Sequence, residues 1–223
     1  MTSVTTEDGG RIDGRRARGD STRRAILQRA MQIASVEGLD GLSLARLAAD
    51  LGMSKSGLFA HFGSKEELQL STLRAARKVF SVHAVVPAQE APDGLDRLLA
   101  LTDAWVGYIG TGTFDGGCLF MQAAAEFDSR PGPVRDLVAE CMGQWLGLPG
   151  EQTQRAVELG QLAPDTDAAQ LAWELHAYGL ALNWDHQLNA SAAAAERTRA
   201  AIRSRLLVSA TEDGRGRLAG LAS

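Results

Sequence analysis

SLARLAADLGMSKSGLFAHF, residues 43–62, decides the fold. Ala48, Gly52 and Leu58 stand at offsets of four and six, the spacing of two helices that cross at a tight turn. Alanine at 48 lets the second helix come close to the first, and Gly52 can take the positive φ that the turn needs. Leu58, with Leu44, Leu47, Leu51 and Phe62, supplies the buried seam. That leaves the opposite face of the second helix free to enter a major groove.

The flanks are punctuated to match. Asp20 or Ser21 is expected to cap a first helix whose apolar positions Ile26, Ala30, Ile33 and Ala34 follow the 3.6 period, with Gly38 as its stop. Ser43 caps the second helix and Ser54 the third. Ser64 with Glu67 forms a capping box that opens a fourth helix running to about Phe80. Residues 1–19 are polar, Gly-rich and aperiodic, and read as a disordered basic arm. Its arginines are either solvated or reach a phosphate backbone or minor groove. Pro87 and Pro92 mark 82–93 as a loop between two bodies. The helix-turn-helix unit is therefore set at 20–66, with the fourth helix as the link to the body.

Beyond that loop the pattern is helical again. Residues 93–110 carry Leu95, Leu98, Leu99, Trp105 and Ile109; 110–117 read as a flexible loop and 118–127 as a short helix. Pro133 suits a first helical turn, and GLPG at 147–150 predicts a kink or break in that helix. In 167–188, opened by Asp167 and Gln170, Leu171, Leu175, Tyr178 and Leu182 make one apolar stripe. Trp173, Ala177, Leu180 and Trp184 make a second, on another side. A helix apolar on two sides is buried on two sides, which calls for a partner chain. After a Ser191 cap, 192–210 offer Ala195, Ile202 and Leu206 opposite an arginine-rich face. Two such helices from each of two chains predict a four-helix homodimer interface through Leu171, Leu175, Tyr178, Leu182, Ile202 and Leu206. Residues 81–210 form the body and 211–223 a disordered tail.

Composition agrees with an all-α chain: 223 residues, 45% hydrophobic and 5% aromatic, rich in Ala and Leu. No apolar run is long enough for a membrane span, and no apolar segment follows the N-terminal arginines as a secretory signal requires. The chain reads as cytoplasmic. Two cysteines, Cys118 and Cys141, are too few for a disulfide framework or metal site, and no cofactor is expected. The net charge of −4 hides an asymmetry. Residues 1–80 hold 13 Lys and Arg against 9 Asp and Glu, a balance of +4, and 81–223 hold 10 against 18, a balance of −8. A face that displaces phosphate counterions needs the positive end.

TRRAILQRAMQIASVEGLDGLSLARLAADLGMSKSGLFAHFGSKEEL (22–68) closely resembles the DNA-binding domain of the tetracycline-repressor (TetR) family of bacterial regulators. The first-helix run, the turn at Gly52, GLFAHF and SKEEL carry the likeness. GGCLFMQAAAEFDSRPGPVRDLV (116–138) also looks like a run from one branch of that family. The resemblance implies an N-terminal three-helix DNA-binding domain, a larger helical ligand-binding and dimerisation domain, and operator release by a small effector. It places Lys55, Ser56 and Gly57 toward base edges and Ser54 at the start of the recognition helix. Phe59 and His61 then lie against the DNA backbone, and Lys65 on a phosphate. Ser43 and Arg46 are further phosphate contacts. Ala45 departs from members that place a guanine-reading arginine there, which shifts specificity to Lys55, Ser56, DNA shape and dimer spacing.

For the effector, the candidate walls are Trp105, Tyr108, Cys118, Phe120, Met121, Gln122, Met142, Trp145, Trp173, His176 and Asn183, which suit an apolar or aromatic molecule. The same residues also read as ordinary core. Cys118, at a helix start, is either a small buried hydrophobe or a thiol whose pKa the helix dipole lowers for oxidant or electrophile sensing. His176 and His186 lack the carboxylates of a metal site. No nucleophile–base pair, phosphate loop or metal spacing supports a small helical enzyme. A DNA-binding head answering to a protein partner remains the other alternative.

Overall fold

The computed structural model describes residues 8–220, with side chains from Gly19 onward. Among them are ten helices: α1 (Asp8–Glu37), α2 (Leu44–Asp50), α3 (Lys55–Phe62), α4 (Lys65–Phe80), α5 (Leu95–Gly110), α6 (Leu119–Phe127), α7 (Pro133–Glu158), α8 (Ala168–Asn189), α9 (Ala194–Ser209) and α10 (Glu212–Gly220). The head is α1–α3 with the start of α4, and the body is α5–α10 packed around the rest of α4. None of the described helices is long and apolar enough to cross a membrane.

The head follows its caps. Ser43, Ser54 and Ser64 accept from the N–H of Arg46, Gly57 and Glu67, and each opens its helix from an extended backbone. Gly38 and Gly52 take positive φ at the two turns. Leu47, Leu58 and Leu68 are fully buried in the seam. Arg23 was not singled out by its sequence context, yet it ties three helices together. Its guanidinium donates to the His61 carbonyl and to Ser71 Oγ (2.9 Å), and lies 4.4 Å above the Phe62 ring.

Several sequence expectations are corrected. The expected disordered arm lies outside the described residues only for 1–7; from Asp8 the backbone is already helical, so neither Asp20 nor Ser21 is a cap. Continuity with a well-packed helix carries the polar segment along, because propagation costs less than nucleation. The linker is no open loop: a π-turn (Ser81–Val85) and a 3₁₀ turn (Val86–Glu90) continue α4, with Ala84 and Ala88 buried. α7 runs unbroken through Pro149. The ring removes one ladder N–H, but Pro149 and Thr153 are buried, and the Thr153 hydroxyl donates to the Pro149 carbonyl at 2.8 Å. Ala193, not Ser191, caps α9.

The expected tail at 211–223 also folds, with 221–223 outside the described residues. In α10, Leu218 is buried and Arg217 pairs with Asp96 and Asp213. Thr211 donates to the Gly160 and Gln161 carbonyls (2.7 and 3.1 Å), beside a single antiparallel bridge between Leu162 and Ala210. Long-range partners supply what 3.6-residue periodicity did not signal.

Candidate nucleic-acid interface and buried cavity

Most of the sequence-expected DNA residues are solvent-exposed on the head. Along α3, Lys55, Ser56 and Phe59 are exposed, while Leu58 and Phe62 face inward. Adjacent helical residues point about 100° apart, and so Leu58 is fully buried where Phe59 stands 52% exposed. An exposed phenylalanine beside a lysine and two serines is unusual for an idle surface. Ser43 and Ser54 spend their hydroxyls as caps, and Gly57 supplies the N–H that Ser54 accepts. His61 is half-buried, its ring 6.2 Å from Phe62.

The cations of this face differ in how they are held. Arg46 forks onto the Glu37 carboxylate, and Lys65 donates to the Asp40 carbonyl at 2.7 Å and sits 3.5 Å from its carboxylate. Both pairs are exposed and therefore weak, so a phosphate can replace either partner. Arg46 holds the Glu37 carboxyl below the usual range, and Arg130 with Lys65 does the same for Asp40. Lys55 has no ion-pair partner among the described residues.

The body encloses a cavity of about 440 Å³. Its wall includes Phe80 from α4, Trp105 from α5, Phe120 and Met121 from α6, Trp145 from α7 and His176 from α8. Trp145 packs 4.9 Å from Trp105 and 5.0 Å from Phe80, and His176 stacks on Trp105 at 5.5 Å with planes 8° apart. The room for Trp105 comes from Gly179, since a Cβ there would occupy the indole ring. Burial alone pushes the His176 pKa down. His176 Nδ1 and Trp145 Nε1 are buried without a hydrogen-bond partner.

Of the expected effector residues, Trp105, Cys118, Phe120, Met121, Met142, Trp145 and His176 come together on this wall. The others do not. Trp173 is 61% exposed on the far side of α8. Gln122 is exposed and donates to the Gly116 carbonyl. Asn183 spends its Oδ1 on the Cys118 N–H at 2.9 Å. Tyr108 is buried beside Phe80, 5.2 Å between rings, with its pKa raised by desolvation. Arg77, Lys78 and Cys141 also line the cavity, and no motif or periodicity had marked them for it. At Cys118 burial wins over the helix start. The N–H groups of Phe120 and Met121 favour thiolate, yet desolvation pushes the thiol up.

The residues expected to form the dimer seam are corrected too. Leu171, Leu175, Leu182, Ile202 and Leu206 are at most 3% exposed within one chain, and Tyr178 is half-buried. They close the protomer's own core between α8, α9 and α5. The side left outside is that of the second stripe: Trp173, Leu180 and Trp184 face solvent, Ala177 is half-buried, and Leu188, not part of the expected stripe, extends it. Amplitude of apolarity was equal on both sides of α8, and only packing decided which side the protomer kept.

Head and body meet at α6. The Glu126 carboxylate accepts the N–H groups of Leu39 and Asp40, both at 2.7 Å, and Arg130 pairs with Asp40. At the other end, the loop expected to be flexible is docked on α1. Gln32 accepts from Asp115 N–H (3.1 Å) and donates to the Thr113 carbonyl (3.3 Å), and Ser35 accepts from Gly116 N–H (3.2 Å). Gly116 lies so close to the Ser35 carbonyl that no side chain fits. Among the described residues, no group of three or more His, Cys, Asp or Glu is placed to hold a metal ion.

Comparison with known proteins agrees with this architecture. The family model described as "Bacterial regulatory proteins, tetR family" matches residues 26–71, and "Tetracyclin repressor-like, C-terminal domain" matches 94–202. No curated protein sequence matches the chain. A TetR transcriptional regulator from Chloroflexus aurantiacus superimposes with a TM-score of 0.77 at 23% identity, over 83% of this chain and 94% of that one. A transcriptional regulator from Saccharomonospora viridis, solved in complex with choline, gives 0.71 at 22% identity, over 83% and 95%. AibR, solved with isovaleryl coenzyme A and operator DNA, gives 0.64 at 19%, over 81% and 95%. These likenesses carry the fold, and the two matched models carry the family. The chain belongs to the tetR family of bacterial DNA-binding transcriptional regulators.

Proposed function

We propose that this regulator is a homodimeric repressor that holds a short inverted-repeat operator and releases it when a small molecule fills the body cavity. One observation carries the reading: the cavity wall and the head share covalent and hydrogen-bonded elements. Phe80 ends α4, the helix whose first residue, Lys65, belongs to the DNA face. Phe120 and Met121 sit on α6, the helix whose Glu126 grips the turn between α1 and α2. A ligand that prefers one spacing of these helices shifts the population toward it. The AibR complex, which holds an acyl coenzyme A together with operator DNA, supports a ligand-and-operator arrangement for the fold.

In this reading Lys55, Ser56 and the α3 backbone at Gly57 read base edges. Phe59 and His61 pack on the DNA backbone, and Ser43, Arg46, Ser54 and Lys65 hold phosphates. Two protomers join through the Trp173, Leu180, Trp184 and Leu188 stripe of α8, which sets the spacing of the two recognition helices. Thiol control at Cys118 is not favoured, because the sulfur is buried and held as a thiol.

The test is fluorescence anisotropy of the purified protein on its own upstream DNA and on a shuffled duplex, across a salt series. A specific complex with two chains per site supports the reading. Equal, weak binding to both duplexes counts against it. Saturable release of the specific complex by a small molecule then separates effector control from control by a protein partner.

A further inference from the structure

Resting on the reading of the body cavity as the effector site, we infer that the effector is an aromatic monocarboxylate, its ring system buried among Phe80, Trp105 and Trp145, an uncharged oxygen on that ring system accepting from Trp145 Nε1, and its carboxylate at the mouth beside Lys78.

Three observations converge. The interior is aromatic and apolar: Trp145 packs against Trp105 and edge-on against Phe80 (ring centroids 4.9 and 5.0 Å apart), so the three rings form one continuous wall. A flat π-system makes offset or edge contacts with such walls. Within them, Trp145 is 7% exposed and its Nε1 meets no acceptor. An indole N–H only donates, and a buried donor left unpaired is costly. A ligand that brings an uncharged acceptor to that depth relieves this cost.

The charge pattern selects the other end. No Asp or Glu lines the cavity, whereas Arg77 and Lys78 do. Arg77 is already met by Glu140 at 3.2 Å, and Glu140 also accepts from Gln144 at 3.0 Å. Lys78 meets no carboxylate among the described residues. The mouth thus carries one unmatched positive charge. Deeper in, His176 is kept neutral by burial, so no cation waits inside for an anion. A carboxylate is stable at the solvated mouth and not in the interior. A quaternary ammonium would gain from the aromatic walls. It would leave Trp145 Nε1 unpaired and meet Lys78 as a like charge, and it is excluded on both counts.

Isothermal titration calorimetry with four probes decides the point: 6-methoxy-2-naphthoate, 2-naphthoate, 2-methoxynaphthalene and phenyltrimethylammonium. The methoxy acid is expected to bind about tenfold tighter than its neutral analogue, as a charge-assisted contact provides. Lys78→Gln removes that preference, and added salt weakens it. Trp145→Phe removes the advantage of the methoxy acid over 2-naphthoate and leaves the preference for acids intact. Lys78 is exposed, so its variant folds even if Trp145→Phe does not. Equal binding of acid and neutral probe, a preference for the ammonium, or no heat with any probe overturns the inference. If the acid binds as expected but never releases operator DNA, the aromatic-acid site stands and the effector reading falls.

Discussion

Glu126 near the C-terminal end of α6 accepts the backbone N–H of Leu39, at 2.7 Å, in the turn that separates α1 from α2. The same carboxylate takes the N–H of Asp40 at 2.7 Å. A Cβ on Gly38 would collide with it. A helix of the ligand-binding body thus closes over the backbone from which the DNA-binding pair begins.

Glu126→Gln keeps the size of the side chain but replaces one acceptor by an NH₂ that faces an N–H. One backbone donor is left unpaired, at a cost of about 1–3 kcal/mol. Hydrogen exchange at Leu39 and Asp40 should accelerate, and operator release by an effector should need a higher ligand concentration. Unchanged exchange at both amides would show that the carboxylate does not hold the turn.

Gly116→Ala should undock the 111–117 loop from α1, because the new methyl has no room beside the Ser35 carbonyl. Backbone displaced by overpacking costs about 1–3 kcal/mol. The denaturant midpoint should fall accordingly, and Ser35 should lose the N–H of Gly116. Gly112, which has open space around its Cβ position but a positive φ, serves as the control for strain alone.

Trp184→Glu should give monomers in sedimentation equilibrium while far-ultraviolet circular dichroism stays helical. Leu182→Ala, two residues away and so on the opposite, inner side of the helix, should do the reverse. It lowers protomer stability by about 2–5 kcal/mol and leaves folded molecules dimeric. A dimer that survives Trp184→Glu would remove the outer stripe of α8 from the interface.

His176 gives a pH signature. Its folded pKa lies below the ordinary value of 6.5, because burial disfavours the imidazolium. Above that value the ring is neutral in both states and adds no pH dependence. As pH falls below it, the unfolded chain takes up a proton that the folded chain resists, so stability drops until the folded pKa is passed. Between about pH 7 and about pH 5 the wild-type Tm should fall further than that of His176→Asn. Parallel curves would mean that the ring titrates as freely in the fold as out of it.

Lys55→Ala should weaken operator binding more than binding to random duplex, since a base-edge contact is lost. Lys65→Ala should weaken both and reduce the salt slope by about one. Equal losses on both duplexes for both variants would argue against base reading by Lys55.

The head was legible in the sequence because its information is local. α2, α3 and α4 each open on a serine that accepts the amide three residues on, each turn holds a glycine at positive φ, and adjacent Leu58 and Phe59 were bound to point apart. The all-α class and the two apolar sides of α8 were readable for the same reason: periodicity is a property of one helix. What needed the tertiary structure was every choice between equals. Which stripe of α8 stays inside was set by α9 and α5. Pro149 remains helical because α7 is held by its neighbours, and 211–220 fold because Arg217 finds Asp96 across the body. The thiol of Cys118 follows burial rather than its helix start, since desolvation exceeds what a few N–H dipoles return. Contacts between residues far apart in the chain carry no periodic trace, so Arg23, Glu126 and the cationic cavity mouth became visible only when the fold brought them to their partners.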